Sequence, residues 1–181
     1  MGEPKAFLRL GGATFLERAV AALRGGGCGG VWVVAGPGET GDRVAREAEA
    51  MGASVVRNPD AEAEQVDSLR RALRALPGHV EAAAVLPVDV PEAEAATVRA
   101  VVDAFLRTRA PVAVPARQGR HGHPVLFARA VWPELLEGEL PEGARTVVHA
   151  HAAELAGVSV ATLPTDVDTP DDLRRLRERA G

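Results

Sequence analysis

Isoleucine and tyrosine are absent from this chain, and lysine, cysteine and asparagine occur once each, as Lys5, Cys28 and Asn58. A solitary cysteine excludes an internal disulfide framework and a cysteine-built metal site. No stretch nears the ~18 consecutive apolar residues that span a bilayer, and no basic-then-apolar leader is present. Nothing therefore points to a membrane, and the cytoplasm is the simplest location. A formal net charge of −4 also leaves no basic field of the kind that holds nucleic acid.

The scarcity of lysine is itself informative. Of 21 lysine and arginine residues only Lys5 is lysine, a bias we read as the codon preference of a GC-rich genome. A lysine retained against that bias marks either a chance surface position or one where a compact ammonium is needed and a planar guanidinium does not fit. Counting alone leaves the two readings even.

What the chain does contain is enough for one full-sized domain: 181 residues, 46% of them hydrophobic. Helices are expected over 14–26 (with a capping box from Thr14 to Glu17), 41–52, 65–76, 92–107 and 170–179, the last with Pro170 in its first turn. Shorter helical stretches are expected near 129–137 and 143–154. Apolar runs of strand length lie at 30–36, 53–58, 81–90, 111–116, 122–128 and 157–163. Strand and helix alternate almost throughout, which predicts an α/β fold with a mostly parallel, Rossmann-like sheet covered on both faces, in a single domain over 1–181. Ligands of such folds bind beyond the carboxyl ends of the strands.

Two acidic segments stand at such ends. Asp89 follows "AAAVLPV", and Asp166 and Asp168 follow the last strand in "TDVDTPDDL". Paired carboxylates there suit Mg2+, which takes oxygen ligands and combines one or two carboxylates with substrate phosphates. Taken singly, Asp168 also reads as a helix N-cap and Asp89 as a turn residue before Pro91.

Other features compete. Gly36, Gly38 and Gly41 in "GPGETG" form a G-x-G-x-x-G between a strand and a helix, with Asp60 at a suitable distance for an NAD(P)-binding fingerprint. An ordinary strand-to-helix turn is the favoured reading, and Asp42 in the lysine position rules out a P-loop. His149 and His151 are two apart on a helix, so they diverge and make poor joint ligands. Trp32 and Trp132 read as core, and Arg174, Arg175, Arg177 and Arg179 as a solvated helix face.

Five segments in order resemble the MobA-like NTP transferases, which attach a nucleotide to the molybdenum cofactor: "MGEPKAFLRLGGATFLERAVAAL", "NPDAEAEQVDSLRRAL", "LPVDVP", "GHPVLF" and "DVDTPDDLRRL". The last two lean toward the cytidylyltransferase-like branch. The resemblance implies a nucleotidyltransferase that moves a nucleoside monophosphate from CTP, favoured over GTP, to a phosphorylated acceptor such as molybdopterin, releasing pyrophosphate. It implies that Lys5 contacts nucleotide phosphates and that Asp89 binds Mg2+ together with Asp168, ranked above Asp166. Asn58, Gln65 and Ser68 would line the nucleotide and acceptor cleft, and His123 would face the acceptor. In two places the chain departs from the pattern. Glu64 stands where the family has a glycine, and the family's "LAAGxSxR" loop with its preceding strand has no counterpart. That reading makes Met1 an internal start, and it predicts a gap or an unpaired edge in the sheet. A nucleotide- or cofactor-binding relative without turnover is the remaining alternative.

Overall fold

Valine and alanine build most of the strands, and their β-branched or small side chains pack well on a pleated surface covered by helices. A computed structural model describes residues 3–180. The central sheet runs in the order β5 (Ala82–Val85), β8 (Val125–Ala128), β6 (Val112–Arg117), with the short β7 (Arg120–His121) and β9 (Ala156–Ser159) also on β6. β8 runs against both β5 and β6, whereas β9 is parallel to β6. β3 (Trp32–Ala35) and β4 (Ser54–Arg57) pair in parallel as a separate ribbon. The helices are α1 (Phe15–Gly25), α2 (Gly38–Ala50), α3 (Gln65–Ala75), α4 (Ala95–Thr108), α5 (Trp132–Glu137), α6 (Arg145–Ala150) and α7 (Pro170–Ala180). The α/β alternation read from the sequence is the observed one.

The strand pairing breaks between β3 and β5. Among the described residues β3 pairs with β4 and β5 pairs with β8, and neither pairs with the other. Burial records the consequence: all four residues of β5 are half-buried, whereas Val112–Pro115 of β6 are fully buried. α3 spans the two pieces, packing against β3 while its Leu73, with Leu69 and Leu76, joins a core that includes Ala83 and Val85 of β5.

Local rules set the element ends. Thr14 caps α1 through the Glu17 amide while the Glu17 carboxylate accepts from the Thr14 N–H, so the expected capping box forms. A hairpin of β1 (Arg9–Leu10) and β2 (Ala13–Thr14) precedes it, turning on Gly11 and Gly12 at φ +58° and +85°. Positive φ at both turn positions is what Gly-Gly supplies cheaply. α2 starts at Gly38, three residues earlier than the periodicity predicts, because the chain turns into the helix at Pro37.

Candidate functional site

Three distant segments meet around Lys5. It opens a short 3-10 turn (Lys5–Phe7) whose Phe7 is buried, with the guanidinium of Arg43 stacked 3.7 Å from the ring centroid. Asp89 lies in the turn after β5, anchored by the buried Val90 and Pro91. Its backbone carbonyl accepts a 2.8 Å hydrogen bond from the Val167 N–H, tying the two acidic segments together. Val167 is buried with Leu8, Leu10, Phe15, Leu173 and Leu176, so one apolar cluster holds the β1 end, α1 and α7 in place.

On that support the Lys5 ammonium sits 3.0 Å from Asp89 Oδ2 and 2.6 Å from Asp168 Oδ1. Burial works against the Lys5 charge, but hydrogen bonds and fields from Asp168 and Asp89 outweigh it and raise its pKa above 10.5. Lys5 is therefore cationic at neutral pH.

Asp168 can face the lysine because it does not cap α7. Thr169 and Asp172 do that reciprocally: the Asp172 carboxylate accepts from the Thr169 N–H and hydroxyl at 2.9 and 2.7 Å, and the Asp172 N–H donates to Thr169 Oγ1. The Thr169 hydroxyl and Arg175 hold the Asp172 carboxyl far below the usual range. The N-cap reading of Asp168 is thereby corrected. "T-P-D-D" is a capping-box pattern and could have been read from the sequence.

His123 adjoins this cluster, close enough to feel the fields of Asp166 and Asp89. Burial pushes its pKa below 6.5, partly opposed by Asp166, the Val85 backbone and Asp89. Its Nδ1 is buried and finds no hydrogen-bond partner among the described residues. The unfolded chain takes up this proton at higher pH than the folded one, so the neutral imidazole's stabilisation is complete above pH 6.5 and declines as pH falls through the lowered pKa. Urea denaturation at pH 7.5 and pH 5 should show a larger acid loss for the wild type than for His123→Gln; equal losses would contradict the assignment.

The remaining candidates gather elsewhere. Asn58 is buried at the end of β4, its Nδ2 donating to Ser68 Oγ at 3.2 Å and its Oδ1 accepting from the Asp60 N–H. This pair anchors α3 to the β4 end. Gln65 is the first residue of α3, and Glu64 precedes it as N-cap, its N–H donating to Asp67. A carboxylate at a helix N-terminus is favourable electrostatically, which accounts locally for the departure from glycine at 64. Glu64, Asp67 and Arg70 line a cavity of about 540 Å3 with the segment Gly138–Pro141. Arg70, which sequence reasoning missed, donates to the Leu135 and Gly138 carbonyls at 3.0 and 2.9 Å and so caps the carboxyl end of α5. No local pattern signals a partner 65 residues away.

The competing features resolve structurally. His151 pairs with Glu134 and His149 with Glu142, so the two imidazoles diverge as expected. Trp132 is buried and donates to the Phe127 carbonyl; Trp32 is half-buried. Arg174 and Arg175 pair within α7, while Arg177 reaches the Arg9 carbonyl and Arg179 reaches Glu92. In "GPGETG" a Cβ on Gly41 would lie 1.8 Å from the Gly36 carbonyl oxygen. The third glycine is thus needed for chain packing. Asp42 in the first turns of α2 is paired with Arg57, and Asp60 is bound up in a local turn.

A family model described as the MobA-like NTP transferase domain matches residues 1–155. The chain belongs to that family. The family is one of nucleotidyltransferases, and the fold agrees. The chain is 32% identical, over 98% of its own length, to the bifunctional IPC transferase and DIPP synthase of Rubrobacter xylanophilus, of which it spans 48%. Rv0371c from Mycobacterium tuberculosis H37Rv superposes with a TM-score of 0.81 at 28% identity, covering 98% of this chain and 91% of that one. A second structure of Rv0371c, in complex with manganese, gives 0.79 at 27%, covering 98% and 93%. The 2-C-methyl-D-erythritol 4-phosphate cytidylyltransferase of Thermus thermophilus, at 24% identity, 98% and 94% coverage and a TM-score of 0.73, shares the fold.

Proposed function

We propose that this chain transfers a nucleoside monophosphate from a nucleoside triphosphate, CTP in preference to GTP, to a phosphorylated acceptor, with molybdopterin the first candidate. The observation that carries the reading is the convergence of Asp89 and Asp168 on one cation, the Lys5 ammonium. Two carboxylates already sharing a positive charge fit a divalent ion that completes its shell with phosphates and water. Mg2+ is the expected ion, and the manganese complex of Rv0371c supports a divalent site in a related chain. Bound there, such an ion supplies charge neutralisation and alignment of the phosphates.

The chain's own residues do the rest. A terminal phosphate oxygen of the acceptor attacks the α-phosphorus, and the bond from that phosphorus to the oxygen bridging the β-phosphate breaks. Pyrophosphate leaves with the bonding electrons, so no protein nucleophile is needed. Lys5 offsets the charge gathering on the leaving group as a compact point charge. Asp89 and Asp168 hold the cation, and neutral His123 at their side faces the acceptor. Gln65, at the start of the α3 that Asn58 and Ser68 hold to the β4 end, is assigned with them to nucleotide and acceptor binding outside the Lys5 cluster.

Pyrophosphate release from CTP and from GTP, with and without Mg2+, tests the reading against molybdopterin, sugar phosphates and other phosphorylated alcohols. Metal-dependent release with CTP and molybdopterin supports it. Release with another acceptor alone overturns the acceptor, and nucleotide binding without release establishes the non-catalytic alternative.

A further inference from the structure

We infer that Lys5 is a built-in placeholder for the divalent ion: its ammonium occupies the cation position until nucleotide draws it away, so metal binds weakly to the free protein and tightly only with a triphosphate. The inference rests on the metal role proposed for Asp89 and Asp168.

The geometry carries it. Lys5 contacts both carboxylates at hydrogen-bonding distance from segments 84 and 163 residues away, so the ammonium stands where an ion bridging them would stand. Ammonium and ion therefore exclude one another from that place. The short 3-10 turn and the adjoining β1–β2 hairpin fix the backbone of Lys5. Its four-carbon stem retains the freedom to swing, and its side chain is 32% exposed, opening onto solvent. A triphosphate supplies what the carboxylates lose when the ammonium leaves: anionic oxygens for lysine, and further oxygen ligands for the ion. The exchange leaves both carboxylates with a cationic partner before and after it. It also explains why lysine is kept here in a chain that otherwise uses arginine, since a rigid planar fork held by two carboxylates would not release as a point charge does.

Mn2+ binding followed by the electron paramagnetic resonance signal of the free ion provides the first arm. Without nucleotide, Lys5→Met should bind Mn2+ about tenfold more tightly than wild type, the scale of one charge-assisted hydrogen bond to an ionic partner. With a non-hydrolysable CTP analogue the order should reverse. Equal or weaker metal binding by Lys5→Met overturns the inference. Asp89→Asn separates this from the underlying reading: if it leaves Mn2+ binding unchanged, the carboxylates are not the metal site at all.

The second arm needs no substitution. Because Lys5 is the one lysine, protein carrying carbon-13-labelled lysine gives a single Cε resonance. Titration with Mg2+ and the nucleotide analogue should shift and sharpen that signal with the same midpoint as binding, as the stem leaves its ion pairs. An unmoved Cε signal at metal saturation contradicts the exchange.

Discussion

Asp89→Asn should lower kcat/KM for pyrophosphate release by at least about 10³-fold, while leaving the fold intact. The substitution keeps shape and an oxygen that can accept from Lys5, and it removes one of the two negative charges of the proposed cation site. Losing a single preorganised electrostatic contact to a developing charge costs about 10²–10³ in rate, and loss of a metal ligand belongs at or beyond the top of that range. The stability change should stay within about 1 kcal/mol, because the Lys5–Asp89 pair is partly exposed and such pairs contribute little. Asp168→Asn should follow Asp89→Asn in direction. Asp166→Asn should stay close to wild type, since Asp168 is the member of "DVD" that reaches Lys5. Steady-state kinetics beside chemical denaturation check all three. A fully active Asp89→Asn would remove the metal role.

Gly41→Ala should destabilise the protein by about 3 kcal/mol, at the upper end for overpacking, without any ligand present. The added Cβ would meet the Gly36 carbonyl oxygen at 1.8 Å, and a backbone atom cannot rotate aside as a side chain can. α2 would have to lift from the end of β3. Gly36→Ala is the matched control, because a Cβ there meets nothing within 4 Å and stability should barely change. Urea denaturation of both variants distinguishes packing from ligand binding. Near-wild-type stability of Gly41→Ala would return the glycine triplet to candidacy as a dinucleotide loop.

Features that depend on neighbours a few residues apart were legible in the sequence. Thr14 and Glu17 cap a helix because both partners lie within one turn, and the apolar runs that became β3, β5 and β6 declare themselves by length. The alternation of strands and helices followed, and with it the placement of Asp89 and Asp168 beyond strand ends. The β1–β2 hairpin escaped because strands of two residues carry no period, although Gly11-Gly12 was a turn signal. The insertion of β8 between β5 and β6 escaped too, since strand order is decided by tertiary packing.

The site shows the same division. Its solitude singled Lys5 out without deciding between a chance surface position and a role, and that it bridges two carboxylates depends on contacts spanning most of the chain. The mutual bond of Asn58 and Ser68 likewise required β4 and α3 to be packed together. The neighbouring histidines also diverge in a way no local pattern signals: His121 is exposed on β7, while His123 is half-buried with its Nδ1 enclosed near Asp89 and Asp166.

The most direct measurement is an anomalous-scattering map from crystals of this protein grown with Mn2+ and a non-hydrolysable CTP analogue. The account predicts one manganese peak between the Asp89 and Asp168 carboxylates, in contact with nucleotide phosphate, and Lys5 Nζ moved onto the phosphates. Manganese bound elsewhere, or nucleotide seated away from these three side chains, would contradict it.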